Sequence, residues 1–343
     1  MTGNFAHIWV SYSPAGCWLL VGSVHMATNE AVPTGTTRKY YQREHERGYA
    51  QMVARGLTSW DALHGSENGF EHFSSRWFLE RTLPRLPPVQ GGGTGTVLEL
   101  GCGTGPGACF MAQRGWRAHG VDLIPAAVSK AREMAAQLGL TELTSFEVRD
   151  IAAPAAAAHP KDIGTQQQYD VVLDSFCSQG IVLQSDRSRM LELIRTALRP
   201  SGLLLSSCVH LNPARWSADA PPVAKGYHAS TQEGEAVDLW QFDEDQLFDP
   251  VSQICYEPVE ASEQGEYDGM ITVERVVDDC SGGAASLTSC CYLGTRCYRT
   301  ATSLRSELTA HGFRVVHEEP GPFPGAGNVV AVVDSAEYYV ELS

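Results

Sequence analysis

A dense run of glycines lies between a short apolar segment and a helical pattern in the first third of the chain. Residues 98–105 read L-E-L-G-C-G-T-G, with glycine at positions 101, 103 and 105. Glycine lets the backbone turn tightly and approach a bound ligand, because no Cβ stands in the way. Open α/β sheets bind their ligands at such turns, where a strand ends and a helix begins. The spacing differs from the G-x-G-x-x-G fingerprint of dinucleotide sites, so the pattern disfavours a nicotinamide cofactor.

Three aspartates follow this loop, and each one ends a predicted strand: Asp122, Asp150 and Asp174. Because the carboxyl ends of parallel strands meet at one edge of a sheet, we expect the three carboxylates to lie near the glycines. Asp122, 17 residues beyond Gly105, is positioned to accept hydrogen bonds from a ribose diol. Asp150 would meet the amino group of a base, although a strand-end Asp is also commonly a helix cap or a turn residue. The acids predict a nucleoside ligand without a pyrophosphate, and they suit a cationic one.

The alternation of short apolar runs with helical patterns predicts a doubly wound α/β sheet covered on both faces. The predicted strands cover residues 96–100, 118–122, 145–149, 169–174, 203–209, 313–317 and 328–333. The predicted helices cover residues 37–55, 73–83, 104–114, 125–138, 186–198 and 302–311.

The same patterns predict four parts of the chain. Residues 1–92 form an N-terminal extension and helical lid, and residues 93–209 form the ligand-binding core. The alternation lapses over residues 210–293, which are rich in proline and acids and are expected to form an insertion that caps the substrate. This insertion is predicted to hold two or three strands, including 253–259 and 270–277, and residues 294–343 return to the core.

Composition limits the classes of partner. The chain has 343 residues, 43% of them apolar, which is enough for a large core in one or two domains. Its 40 Asp and Glu outnumber its 25 Lys and Arg, for a net charge of −15. Proteins that bind a phosphate backbone usually carry clustered Lys and Arg, so nucleic acid is disfavoured as the principal partner.

The sequence predicts a cytoplasmic protein without a membrane span. No run of about 18 apolar residues is present, and no basic targeting segment precedes the apolar residues 15–27. The natural start is assigned equally to Met1 and Met26. Ten scattered cysteines fit a reducing compartment, and the cluster from Cys290 to Cys297 lacks the paired spacing of a zinc site. No metal site is therefore predicted, and ordinary half-buried thiols are expected.

Five motifs, taken in order, resemble those of the Rossmann-like, or class I, S-adenosylmethionine-dependent methyltransferases. They read E-L-G-C-G-T-G, G-V-D, R-D-I, Y-D-V-V-L-D and L-R-P-S-G-L-L-L. The resemblance covers residues 95–209 together with the closing strands at 313–333. It implies a mainly parallel seven-stranded sheet with an antiparallel closing hairpin, S-adenosylmethionine as cofactor, and methyl transfer as the reaction.

The resemblance also implies a role for each matching residue. The methionine portion of the cofactor would lie against the glycine loop, which consists of Glu99, Gly101, Cys102, Gly103 and Gly105. The ribose would meet Asp122 and Leu123, the adenine would meet Asp150 and Ile151, and the sulfonium would lie beside Asp174 and Ser175.

The sequence leaves the methyl acceptor open among several classes. Residues 174–177 read D-S-F-C and lack the two prolines carried there by enzymes that methylate nucleobase amino groups. The large insertion resembles that of small-molecule members, so we expect a small molecule with an O, N or S nucleophile. A protein side chain as acceptor, a catalytically silent cofactor-binding protein, and metalloid methylation through cysteine thiolates remain alternatives. The sequence makes no prediction about oligomeric state.

Four residues are candidates for the acceptor side. His210, just beyond the fifth strand, is the best-placed general base, although a solvent-facing or capping histidine is the simpler interpretation. Tyr41, Trp60 and Cys177 are candidates for substrate contact, although aromatic residues at helical spacing more often serve packing.

Overall fold

The computed structural model describes residues 38–86, 93–153, 169–211, 220–228, 236–277, 286–323 and 325–333. The predictions made for residues 1–37, including the choice of start, lie outside the described residues. No helix in these ranges is long and apolar enough to cross a membrane.

The described residues form strands and helices in the following chain order. The α-helices are α1 (Gln42–Arg55), α2 (Arg76–Thr82), α3 (Pro106–Ala112), α4 (Pro125–Gln137), α5 (Gln184–Ala197) and α6 (Ala301–Ala310). The first strands are β1 (Thr96–Leu100), β2 (Arg117–Asp122), β3 (Thr144–Val148), β4 (Tyr169–Ser175) and β5 (Leu198–Val209). Next come β6 (Ala224–His228), β7 (Val237–Gln241), β8 (Leu247–Asp249), β9 (Ile254–Pro258), β10 (Met270–Val277) and β11 (Ser286–Cys297). The last strands are β12 (Phe313–Pro320) and β13 (Ala326–Val333).

The larger sheet has seven strands in the order β12-β13-β5-β4-β1-β2-β3. The five strands from β5 to β3 are parallel to their neighbours, and β13 pairs antiparallel with both β5 and β12. The two faces of the sheet have separate hydrophobic cores. Val97 of β1 belongs to the same core as Phe110 of α3, and the next residue, Leu98, belongs to the same core as Met190 of α5. Helices thus cover both faces, as a parallel sheet requires. The predicted α/β class and mainly parallel sheet are confirmed.

The chain between β5 and α6 forms a second sheet, a closed antiparallel barrel in the order β10-β11-β9-β8-β7-β6. The prediction of two or three strands for this segment was wrong, since its described residues alone form six. Strand β8 has only three residues, and β11 reads S-L-T-S-C-C-Y-L-G-T-R-C, where small and polar residues hide the strand pattern. Such strands are stabilised by closure of the barrel, which leaves no unpaired edge, more than by local propensity.

Several predicted boundaries shift by a few residues. Helix α3 covers Pro106–Ala112 instead of 104–114, because Gly105 has a φ of 79° and Pro106 begins the helix. Strand β5 begins at Leu198, five residues before the predicted 203, and pairs there with Tyr169.

Three charged side chains, Arg187, Arg299 and Glu307, connect the last strand of the barrel to helices α5 and α6. Glu307 of α6 accepts a hydrogen bond from Nε of Arg187 at 2.8 Å and forms an ion pair with Arg299, just beyond β11. Both arginines are buried, with 8% of their surface exposed. A buried cation is stable only beside a compensating charge, so this carboxylate joins α5, α6 and the end of β11.

Glu307→Gln is expected to lower the free energy of unfolding by about 3 kcal/mol, because it leaves two buried guanidinium groups without a counter-charge. Urea unfolding measures the change. The matched control is Glu192→Gln, which removes the exposed pair with Arg195 on α5 and should cost under about 1 kcal/mol. Equal costs for the two variants would show that the buried group does not hold these elements together.

Candidate functional site

A cavity of about 610 Å³ opens at the carboxyl ends of β1, β2, β3 and β4, and it is lined on its other side by α1 and the chain that follows. Twelve of the residues singled out from the sequence line it: Tyr41, Trp60, Glu99, Gly101, Cys102, Gly103, Asp122, Leu123, Asp150, Ile151, Ser175 and Cys177. Three others, Gly105, Asp174 and His210, are not among the lining residues. Most of the residues singled out from the sequence therefore lie together at one edge of the sheet.

The glycine loop has the backbone shape that its composition predicts. Gly101 and Gly103 have φ angles of 55° and 56°, in the left-handed region that other residues rarely adopt. A Cβ on Gly101 would overlap Sγ of Cys177, so the close approach of the loop to the end of β4 also requires glycine. Gly105 serves packing instead, because a Cβ there would lie 2.9 Å from Cβ of Ala131 in α4.

Asp122 ties the glycine loop to the end of β2. Its Oδ2 accepts a hydrogen bond from the Gly103 N–H at 2.9 Å, and its Oδ1 accepts one from the Ile124 N–H at 2.9 Å. Burial raises the pKa of this carboxyl above its ordinary value, and the two backbone donors oppose that effect. Backbone donors engage both oxygens, and a carboxylate oxygen has the capacity to accept a further hydrogen bond from a ligand.

Asp150 connects the end of β3 to the segment that leads into α1. Its Oδ1 accepts hydrogen bonds from the Tyr41 hydroxyl at 2.7 Å and from the Ala152 N–H at 2.9 Å. Burial, followed by the neighbouring Asp150 charge, raises the pKa of the Tyr41 phenol far above its ordinary range, so the hydroxyl keeps its proton and donates. The carboxylate predicted to meet a base therefore also holds a residue of the lid.

Asp174 is a correction to the sequence interpretation. Its Oδ1 accepts hydrogen bonds from the N–H groups of Cys177 at 3.0 Å and Ser178 at 2.9 Å, and its Oδ2 accepts one from the Ser206 hydroxyl at 2.7 Å. The side chain is buried beneath the turn that follows β4 and takes no part in lining the cavity. Asp174 holds this turn in shape, and Ser175 and Cys177 are the members that reach the cavity.

His210 is a second correction. The backbone N–H of His210 donates to the Gly325 carbonyl, and a Cβ on Gly327 would overlap the imidazole ring. The ring therefore packs on β13 of the closing hairpin, and burial lowers its pKa. The extended chain beyond β5 carries the residue along the neighbouring strand and away from the cavity, so the structure does not support His210 as the general base.

Two histidines that the sequence interpretation did not single out line the cavity from the lid, His45 and His64. Both pack on Trp60, with ring centroids 5.4 Å and 5.9 Å from its indole. A Cβ on Gly48 of α1 would overlap this indole, so the absence of a side chain there lets Trp60 lie against the helix. The only sequence signal for His45 was its position four residues after Tyr41 on one face of the predicted helix.

Arg296 is a third residue missed from the sequence, and it brings the barrel to the cavity. It lies near the end of β11 and forms a two-point ion pair with Glu44 of α1. Burial alone would raise the pKa of Glu44, but the guanidinium holds it below its ordinary value. Arg296 therefore lines the cavity while its ion pair with Glu44 joins α1 to the barrel.

A family model described as a methyltransferase domain matches residues 93–256. This range contains the glycine loop, the cavity-lining Asp122 and Asp150, and the five parallel strands. The matched part of the chain, residues 93–256, is therefore a methyltransferase domain. The cofactor of this family is S-adenosylmethionine, a sulfonium-bearing nucleoside, which is the kind of ligand that the acids and the loop geometry predict. The residues present fit such a ligand. The glycine loop is too closely packed to accept a Cβ at Gly101, and Asp122 and Asp150 are held in place by hydrogen bonds at the same cavity.

This chain spans only a third to a half of the length of the curated relatives that it matches. The 2-heptyl-1-hydroxyquinolin-4(1H)-one methyltransferase of Mycobacteroides abscessus is 44% identical over 22% of this chain and 34% of that protein. The ubiquinone biosynthesis O-methyltransferase of Leptothrix cholodnii is 29% identical over 40% of this chain and 51% of that protein. Among solved structures, the CcbJ methyltransferase from Streptomyces caelestis aligns with a TM-score of 0.46 and 17% identity, over 78% of this chain and 94% of that chain.

Glu99 is a buried acid of the cavity with a raised pKa. It has 2% of its surface exposed, and its Oε2 accepts a hydrogen bond from the Ala108 N–H at 2.7 Å, in the first turn of α3. Burial raises the pKa of Glu99 to about 8, against the opposing effect of that bond, and the charge of Asp122 adds to the increase. A carboxyl in this state is poised to ionise when a ligand brings a positive charge beside it.

Glu99→Gln should remove a pH-dependent part of the stability of the ligand-free protein. A carboxyl whose folded pKa is raised stabilises the fold most below its unfolded pKa of about 4.3, and this contribution is lost as the pH rises towards the folded value. We therefore expect the free energy of unfolding of the wild type to fall by about 2–4 kcal/mol more than that of the variant between roughly pH 5 and pH 8.5. Urea unfolding at several pH values measures the difference. Glu80→Gln on the exposed face of α2 is the control, and it should follow the wild-type curve.

Proposed function

We propose that this protein transfers a methyl group from S-adenosylmethionine to a small-molecule acceptor. The observation that carries the proposal is that the glycine loop, Glu99, Asp122 and Asp150 line one cavity. Glu99 and the loop glycines would hold the methionine portion of the cofactor, with Cys102 as part of that wall. Asp122 with Leu123 would hold the ribose, and Asp150 with Ile151 would hold the adenine.

The bound cofactor supplies a methyl group that is already activated by its sulfonium. The protein must therefore orient the acceptor and exclude water more than it must activate a leaving group. Trp60 and the side chains of α1 line the cavity opposite the sheet, where they would cover the acceptor. Ser175 and Cys177, at the end of β4, line the wall between the glycine loop and this lid, where the acceptor would meet the methyl group.

The size and lining of the cavity favour a small, uncharged, ring-containing acceptor. Its volume of about 610 Å³ lies within the range of small-molecule sites, about 300–1,000 Å³. Phe176 and Phe323 stack at the cavity with ring centroids 5.6 Å apart, and Trp60 adds a third apolar ring. The guanidinium of Arg296, which lines the cavity, is already neutralised by its ion pair with Glu44. The names of the two curated relatives, which refer to a hydroxyquinolone and to O-methylation, support an oxygen nucleophile for this chain as well.

We assign a role in enclosure to the parts of the chain on either side of the core. The lid consists of residues 38–64, and the cap is the barrel from β6 to β11. Arg43 of α1 donates to Glu263, in the segment between β9 and β10, at 2.9 Å, and Lys39 donates to Asp268 of the same segment at 3.0 Å. With the Glu44–Arg296 pair, these contacts join lid and cap, and we propose that the two act together to close the acceptor end of the cavity.

Calorimetric titration of S-adenosylmethionine and S-adenosylhomocysteine tests the cofactor site. We expect micromolar binding by the wild type and a loss of at least about 30-fold in Asp122→Asn, because the amide replaces one acceptor oxygen with a donor. The control is Asp170→Asn, which alters a carboxylate at the opposite end of β4 that accepts from the Thr96 N–H at 2.8 Å. Failure of the wild type to bind either compound would overturn the proposed function.

A double-mutant cycle tests the connection between lid and cap. We expect Glu44→Gln and Arg296→Gln each to destabilise the protein, and the double variant to recover a coupling energy of about 1–3 kcal/mol in urea unfolding. The exposed pair Lys225–Asp238 within the barrel is the control, and its coupling should stay below about 0.5 kcal/mol. A coupling between Glu44 and Arg296 as small as that of the control would contradict a closed assembly of lid and cap.

A further inference from the structure

We propose that His45 takes the proton from the nucleophile of the methyl acceptor. This role deepens the proposed methyltransferase function and rests on it. A base is required only when the acceptor carries its proton at working pH, as an un-ionised hydroxyl does.

The position of His45 is set by three contacts on three sides. The residue lies on α1 and lines the cavity, and its ring stacks on Trp60 at an interplanar angle of 23°. On another side, its Cε1 lies 3.7 Å from where a Cβ of Gly180 would stand, so the imidazole faces the turn that follows β4. That turn also contributes Ser175 and Cys177 to the cavity, so His45 stands at the junction of lid and sheet edge where an acceptor would meet the methyl group.

The hydrogen bond on the third side determines which nitrogen is free. Nδ1 of His45 lies 2.6 Å from the backbone carbonyl oxygen of Tyr41. A carbonyl accepts but never donates, so Nδ1 carries a proton, and Nε2 of the neutral ring keeps its lone pair. Among the described residues, Nε2 has no hydrogen-bond partner. The ring is therefore held as a tautomer whose free nitrogen is a proton acceptor.

The charged groups that face His45 come from three elements. Asp122 of β2 and Glu44 of α1 are the acids that interact with it electrostatically. The charge of Glu44 is balanced by Arg296 of β11, which also lines the cavity. None of these groups is hydrogen-bonded to the imidazole.

Other titratable groups at the cavity are less suited to this task. Burial, followed by neighbouring carboxylates, keeps the hydroxyl of Tyr49 and the thiol of Cys177 protonated, because it raises the pKa of both well above their ordinary values. The hydroxyl of Tyr41 already donates to Asp150. His64 is the remaining imidazole on Trp60, and its variant belongs in the same experiment.

The proposed step conserves atoms and charge. The O–H bond of the acceptor breaks, and its proton forms a bond to Nε2 of His45. The lone pair of the acceptor oxygen forms the bond to the methyl carbon, and the electron pair of the broken carbon–sulfur bond stays on sulfur. The imidazolium then returns its proton to solvent, so no oxidant or metal is needed.

The test compares His45→Gln with the wild type on two phenols, 4-methoxyphenol and 4-nitrophenol, at about pH 8.5. Glutamine retains an N–H donor for the Tyr41 carbonyl but cannot act as a base. We expect kcat/KM for 4-methoxyphenol to fall by about 10²–10⁴, the range for loss of general-base catalysis. For 4-nitrophenol, which is already largely ionised, we expect a loss of less than about 10-fold.

His311→Gln is the matched control. His311 makes the same type of bond, from Nδ1 to the carbonyl oxygen of Glu307 at 2.8 Å, but it lies on α6 and does not line the cavity. This variant should keep wild-type kinetics. His64→Gln should lower the rates for both phenols by the same factor.

Four results would overturn the assignment of His45. An equal loss for the two phenols would indicate a positioning role, and unchanged kinetics would indicate no role. Selective loss in His64→Gln would move the base to that residue. Methylation of an amine or a thiol, with no phenol methylated, would show that the acceptor is of another class. Calorimetry separates these results from failure of the proposed function, because His45→Gln should bind S-adenosylhomocysteine within about threefold of wild type.

Discussion

The hydrogen bond from the Gly103 N–H to Asp122 is the interaction on which the cofactor site depends. It joins the turn after β1 to the end of β2, two neighbouring strands that the parallel pairing already brings to one edge. Because the loop glycines have positive φ angles, their N–H groups point where those of an ordinary turn would not. The same carboxylate thus holds the glycine loop and lines the cavity, so the shape of the loop and the site proposed for the ribose depend on one side chain.

The lid and the barrel extend this rigid edge into an enclosed cavity. The lid contacts the core through Tyr41 and Asp150, and it contacts the barrel through Glu44 and Arg296. These bonds link residues more than 100 positions apart in the chain, so they depend on the packing of α1 against both the sheet and the barrel. The acceptor end of the cavity is therefore a product of tertiary assembly, whereas the cofactor end is built from local turns between adjacent strands and helices.

This difference explains what the sequence predicted and what it did not. Glu99, Asp122 and Asp150 were found because the motifs and the strand-end rule both place them at the edge of the sheet. Asp174 obeys the same rule, but the sequence does not reveal that Cys177, Ser178 and Ser206 saturate its oxygens.

The acceptor side follows no such rule. His210 was mistaken for a cavity residue because the direction of the chain beyond β5 depends on the closing hairpin, and Arg296 was missed because β11 lacks a strand pattern. His45 was missed because only the packed position of α1 turns that face of the helix towards the cavity.

Tyr41 touches both ends of the cavity, through different atoms. Its hydroxyl donates to Asp150, in the part assigned to the adenine, and its carbonyl oxygen accepts a hydrogen bond from Nδ1 of His45. Because one residue makes both contacts, a substitution that displaces Tyr41 would disturb the proposed adenine pocket and the proposed base together.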